Sequence, residues 1–331
     1  MKKALVIGID DHPLQPLKCC VNDAREVAAL LKFNADHSRN FDVELMTSPG
    51  DDISNWKLEQ AVSRFFKSSV RIETAVFYFA GHGIISPQTD AGYIVGRDGR
   101  PGAWGMALSQ LLMLAHEARA TISSSVIILD CCHAGRLGDI TGLSLGGASV
   151  IGPGMTILTS CNEDQVALEA GQHGVFTDLL LDGLRGGCAD LRGNITPASI
   201  YSHIDQALGA HEQRPLYKAN VQNFVTLRQV LPRIPAQVLR RLHVYFPDPD
   251  EEYRLAPTFE PDRENVPERF RHLPVNQDQV AVFKDLQKCN RQGLVVPVDA
   301  DDMYSAAMNS KSCRLTPLGK HYRRLAENDK I

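Results

Sequence analysis

The sequence predicts an α/β fold: a mainly parallel, six-stranded sheet flanked by helices, followed by a smaller C-terminal α+β module. Three observations lead there. Short, continuous apolar runs recur through the first two thirds of the chain, and their β-branched and aromatic content fits strands covered on both faces. Helical patterns separate these runs, which implies right-handed crossovers between parallel neighbours. The length, 331 residues, exceeds one small core and suits a large domain plus a small one.

Strands are expected at 4–7, 43–46, 75–79, 126–129 and 155–158, with a last one at 223–227. Between them, helices are expected from an Asn22-Asp23 cap through Leu30, over 54–66, 108–118 and 176–184, and from a Thr196-Pro197 cap. Residues 135–154 are glycine-rich with little periodicity and read as a long mobile loop directly after a strand end, of a length that in compact domains is functional or disordered. The stretch 231–274 is rich in Pro, Asp, Glu and Arg and reads as a linker. It separates a first domain, 1–230, from a module at 275–331 with a helix over 278–289, a strand over 293–296 and a basic helix over 316–326. This module loosely resembles a winged helix. Its basic residues (Lys320, His321, Arg323, Arg324) stand near acidic Asp299, Asp301 and Asp302 in sequence, which favours docking a regulatory protein over binding DNA.

Composition narrows the function classes. Hydrophobic content of 44% and charged content of 22% describe an ordinary globular protein. A net charge of −4 gives no global attraction to nucleic acid or an anionic membrane. No apolar run reaches the roughly 20 residues that cross a bilayer. Asp10 and Asp11 interrupt the opening apolar run where a signal-peptide cleavage region would sit, so a cytoplasmic location is expected. The eight cysteines form no CxxC pair, which signals neither a zinc ribbon nor a redox dithiol, and a disulfide framework is not expected in such a chain.

Two strands deliver unusual residues at their carboxyl ends. One runs into Gly81-His82-Gly83 and the other into Asp130-Cys131-Cys132-His133-Ala134-Gly135. Ligands of open parallel sheets bind outside the carboxyl ends of strands, and neighbouring strands lie about 4.8 Å apart. A His and a Cys separated by 50 residues in sequence can therefore meet across one cleft. A thiol attacks a carbonyl as thiolate, and an imidazole both favours its ionisation and later protonates the leaving amine. The oxyanion would be held by the backbone N–H groups of Gly83 and Cys132. Metal binding through Cys131, Cys132 and His133 is disfavoured, because adjacent side chains on a strand point oppositely.

Over about residues 1–230 the chain resembles the caspase and metacaspase family of cysteine peptidases. The resemblance is carried by Ile7-Gly8-Ile9-Asp10, Cys20-Val21-Asn22-Asp23-Ala24, Phe79-Ala80-Gly81-His82-Gly83, Asp130-Cys131-Cys132-His133-Ala134-Gly135 and Gly174-Val175-Phe176-Thr177. It implies the caspase-like fold and a cysteine endopeptidase with Cys132 as nucleophile and His82 as base. The metacaspase order Asp-x-Cys-His-x-Gly selects Cys132 over Cys131 and leaves His133 a structural neighbour. Asp23 and Asp130 occupy the places of the acidic pocket walls, which implies protein or peptide substrates cut after Arg or Lys. Otherwise Asp23 would serve as a helix cap and Asp130 in a turn. Asp164 and Glu163 are weaker pocket candidates, and Cys161 reads as packing. The family analogy also implies a zymogen, activated by cutting the 135–154 loop (after Arg136, for instance), by dimerisation or by calcium. No EF-hand spacing is present, so calcium enters by analogy only, and no other cofactor or membrane partner is expected. Caspase-like proteins with an added module also occur in bacterial signalling and defence. The competing reading is an inactive caspase-fold scaffold that recruits partners through its C-terminal module.

Overall fold

The structure, a computed structural model, describes residues 1–13, 15–86, 89–131, 151–160, 169–209, 214–262 and 266–331. Two compact units divide the chain, Met1–Leu231 and Pro232–Ile331.

The first unit runs β1 (Lys2–Gly8), α1 (Cys20–Lys32), β2 (Asp42–Thr47), α2 (Asn55–Phe66), β3 (Ile72–Ala80), β4 (Gly83–Ile85), β5 (Gly92–Arg100), β6 (Ala103–Ala107), α3 (Leu108–Glu117), β7 (Ile122–Asp130) and β8 (Met155–Thr159). It continues through β9 (Glu169–Ala170), β10 (His173–Gly174), α4 (Val175–Asp182), β11 (Asn194–Ile195), α5 (Pro197–Ala207), β12 (Leu216–Asn220) and β13 (Arg228–Gln229). Six strands form the central sheet in the order β12-β8-β7-β3-β1-β2. Five of them pair in parallel, and β12 runs antiparallel along β8.

Alternation along the strands builds two cores. Ile7, Phe77, Phe79, Ile127 and Leu129 pack with Leu58 and Phe65 of α2 and Leu111 of α3. Val6, Val76, Tyr78, Val126 and Ile128 pack with Val27 of α1, Phe176 and Leu180 of α4 and Ile200 of α5. Burial on both faces is why these strands read as unbroken apolar runs.

Three sequence expectations for this unit need correction. The sixth strand is Leu216–Asn220, not 223–227: Lys218 and Asn220 mask an edge strand, whereas Val225 and Leu227 reach the core from irregular backbone. Helix α1 starts at Cys20, ahead of the Asn22-Asp23 cap. Its first amides are satisfied from outside the helix, where the Asp10 carboxylate accepts the N–H of Cys20 (2.9 Å) and Val21 (3.3 Å). The antiparallel β4-β5-β6 sheet was not foreseen, because its strands are glycine-rich and lack alternation.

The second unit contains α6 (Ala236–Tyr245), β14 (Tyr253–Arg254), α7 (Gln277–Arg291), β15 (Val295–Val298), α8 (Met303–Met308), β16 (Ser312–Leu315) and α9 (Pro317–Glu327). Its sheet is antiparallel, in the order β14-β16-β15. The 231–274 stretch, expected as a linker, instead supplies α6 and β14 to this unit. Val238, Leu239 and Leu242 bury one face of α6, an amphipathic stripe outweighed in the sequence by the surrounding Pro, Asp and Glu. Arg323 of α9, expected on a basic surface, is buried and donates to the carbonyls of Phe246 (2.6 Å) and Pro247. Among the described residues, no helix is long and apolar enough to cross a membrane.

The start of α1 lies so close to the end of β1 that a Cβ on Gly8 would collide with the Cys20 carbonyl oxygen and come within 2.7 Å of Ala24 Cβ. Gly8→Ala should therefore lower folding stability by about 1–3 kcal/mol, read as a lower urea midpoint at unchanged slope.

Candidate active site

Strands β3 and β7 are central neighbours, and their register sets Ala80 beside Asp130. The Gly81 N–H donates to the Asp130 carbonyl (3.3 Å), so the two chains leave the sheet at one level. Cys131 follows, 2% exposed, and packs with Phe79 and Leu129 in the core shared with α2 and α3. Cys132 lies outside the described residues, as do Cys161, Glu163, Asp164 and all of the 135–154 loop except 151–154.

His82 leaves β3 where the chain turns toward β4. Its Nε2 lies 2.5 Å from the Gln15 carbonyl oxygen. A carbonyl only accepts, so Nε2 carries the hydrogen, and in the neutral ring Nδ1 is the basic nitrogen. The His12 ring stands edge-on at 5.1 Å, and its Nε2 lies 3.2 Å from the Gly99 carbonyl. The Val95 N–H donates to the His82 carbonyl (3.0 Å), which makes Gly83↔Ile94 a non-hydrogen-bonded pair of the β4-β5 ladder. The Gly83 N–H is thereby directed away from β5. A recess of about 200 Å³ opens here, lined by His12, Gln15, His82, Gly83, Ile84, Val95 and Trp104.

On the face of the sheet covered by α1 and α4, Asp23 and Asp130 converge. They are 1% and 7% exposed, and a Cβ on Gly174 would sit 2.8 Å from Asp130 Oδ2 and 3.3 Å from Asp23 Oδ2. The Thr177 hydroxyl donates to Asp130 (2.6 Å) and lies 2.7 Å from the Tyr78 hydroxyl. Asp23 Oδ2 accepts the Gly174 N–H (3.0 Å), and its Oδ1 lies 2.6 Å from His173 Nδ1. Burial, with a contribution from the nearby Asp130 charge, pushes the Asp23 carboxyl up to about 7 against the opposing pull of these two hydrogen bonds. The Tyr78 hydroxyl is held well above its ordinary value by burial and by the two carboxylates. Asp23 is thus a buried acid inside α1 rather than its cap, and Asp130 belongs to a hydrogen-bonded network rather than a turn.

Of the residues expected from sequence, the structure brings Asp23 and Asp130 together and sets His82 and Gly83 at the same sheet edge. Gln15 and His173 carry no sequence signal, and Thr177 enters there only as part of a motif without a site role. A backbone carbonyl leaves no trace in a sequence, and His173 and Thr177 reach the site only through the folding of β10 and α4 onto α1.

The caspase domain family matches residues 1–225 of the chain. Among solved structures, a structural-genomics protein of Geobacter sulfurreducens is 15% identical, covering 70% of this chain and 97% of its own with a TM-score of 0.49. Caspase-1 of Spodoptera frugiperda is 11% identical, covering 69% of this chain and 90% of its own with a TM-score of 0.48. No curated protein matches.

The raised Asp23 value has a signed consequence for stability. Between about pH 4 and 7 the folded chain holds a proton there that the unfolded chain, titrating near 3.8, releases. The contribution is complete below the unfolded value and is lost as pH rises through about 7. Relative to Asp23→Asn, the parent should gain stability as pH falls from about 8 to about 5, measured by urea titration at each pH. A constant difference would contradict the assignment.

Proposed function

The chain belongs to the caspase domain family, whose members are cysteine peptidases, and from that premise we propose that it is an endopeptidase that cuts after Arg or Lys with Cys132 as nucleophile and His82 as base. The observation that carries the reading is the register of the central sheet. Ala80 stands beside Asp130, so the strand that leads in sequence to His82 and the strand that leads in sequence to Cys132 end as neighbours, which supports the pairing. Burial of Cys131 in the core supports Cys132 over its neighbour as the nucleophile.

In this mechanism Cys132 gives its proton to His82 Nδ1, with Nε2–H held by the Gln15 carbonyl, and the thiolate attacks the scissile carbonyl. The backbone N–H groups of Gly83 and Cys132 hold the oxyanion, and the former is already turned away from its strand ladder. As the C–N bond breaks, the imidazolium returns its proton to the leaving amine. Water then hydrolyses the thioester by the same path in reverse. The paired carboxylates of Asp23 and Asp130 supply charge-assisted acceptors for a guanidinium or ammonium group before the cut. The two carboxylates also favour a cationic guest over a neutral one, because the guest compensates their mutual repulsion.

Cys132→Ala and His82→Ala should each abolish cleavage of fluorogenic Arg peptides, while Cys131→Ala retains it. A dead Cys131→Ala variant with an active Cys132→Ala variant would reverse the assignment of the nucleophile. Asp23→Ala and Asp130→Ala should each raise KM for Arg peptides about tenfold or more and erase the preference for basic residues. Equal parent rates on Arg and Asp peptides would refute the specificity outright.

A further inference from the structure

The acidic corner contains an imidazole that the chemistry above leaves without a role. His173, on β10, has a side chain only 13% exposed, and both of its ring nitrogens meet carboxylates of α1. Nδ1 lies 2.6 Å from Asp23 Oδ1 and Nε2 lies 3.4 Å from Glu26 Oε1. The other oxygen of Glu26 is paired with Arg185, in the turn that follows α4. Asn22 Nδ2 stands 3.4 Å from the ring and donates to the Gln172 carbonyl (3.0 Å). The ring is therefore held by three α1 side chains, Asn22, Asp23 and Glu26.

We propose that His173 is a positioning residue for the basic side chain of the substrate: it pins Asp23 Oδ1 so that the carboxylate keeps its place beside Asp130, with Glu26 and Arg185 fixing the ring from behind. The proposal rests on the reading of Asp23 and Asp130 as the specificity pocket. Two neighbouring carboxylates disfavour each other's ionised forms, and left alone one of them takes up a proton or swings away. A ring N–H against Oδ1 and the Gly174 N–H against Oδ2 oppose both outcomes, because each bond favours the charged, aligned carboxylate. The charged groups around Asp23 are His173 from β10 and Asp130 from β7, with the Tyr78 hydroxyl of β3 within electrostatic reach. Around His173 they are Asp23 and Glu26 from α1, with Arg185 behind Glu26. Asp23 is ionised in a growing fraction as pH rises through its raised value, so affinity for a basic guest rises over the same range, and removing the ring N–H moves that range upward.

The test is the pH profile of KM for an Arg peptide on the full chain, for the parent, His173→Ala and His173→Asn. Asn places an amide N–H close to where Nδ1 stands. His173→Ala should raise KM at pH 7 about tenfold or more, the loss of a bond to a charged group, with kcat within about twofold and the KM transition displaced to higher pH. His173→Asn should restore most of the affinity. An unchanged KM and pH profile for His173→Ala, or a fall in kcat alone, overturns the proposal. If Asp23→Ala and Asp130→Ala raise KM but His173→Ala does not, this inference alone falls. If none of the three raises it, the specificity pocket falls as well. Should His173→Ala not fold, Glu26→Gln decides: it removes the second carboxylate from the ring at a partly exposed position, and a KM equal to the parent's at pH 6 and pH 8 overturns the proposal.

Discussion

The pairing of β3 with β7 is the constraint from which the rest of the first unit follows. Eight aligned pairs, from Ile72↔Ile122 to Ala80↔Asp130, tie the two central strands together in one register. Because side chains alternate along a strand, a slip of one residue would exchange Phe77 and Phe79 with Val76 and Tyr78 across the sheet and unmake both cores at once. The same register puts the Gly81-His82-Gly83 turn and the Asp130-Cys131 step at one edge. Packing therefore enforces the alignment that the proposed chemistry needs, and catalysis adds no separate demand on the sheet.

That edge divides into two environments. On one side, His82 sits above a small, partly apolar recess with its Nε2–H held by a main-chain carbonyl. On the other, two buried carboxylates share a corner with Thr177, Tyr78 and His173. Carboxylates so close in a desolvated place disfavour one another, and each is offset by donors contributed from a different element. Gly174 belongs to this balance: its amide supports Asp23, and any side chain in its place would enter the space the two acids share. The corner thus holds negative charge at some expense to stability, an arrangement that suits recognition of a cation.

Different parts of the fold were legible for different reasons. Strands β1, β3, β7 and β8 announced themselves as apolar runs because both of their faces are covered. The cap at Thr196-Pro197 could be read directly, since local hydrogen bonds between Thr196 and Ser199 decide it. The beginning of α1 could not be read, because its cap is the Asp10 carboxylate, which reaches it across the turn after β1. The edge strand β12 and helix α6 were hidden in polar sequence, their partners, β8 and α9, being distant in the chain.

By itself, the sequence determined the α/β class, the parallel core and the residue types at two strand ends, because periodicity and local chemistry are carried by neighbours in the chain. Tertiary structure alone decided that Asp23 is a buried acid rather than a helix cap, that Gln15 turns its carbonyl to His82, and that His173 closes on α1. Each of these depends on a contact between segments far apart in sequence, and no local pattern encodes the distance between them.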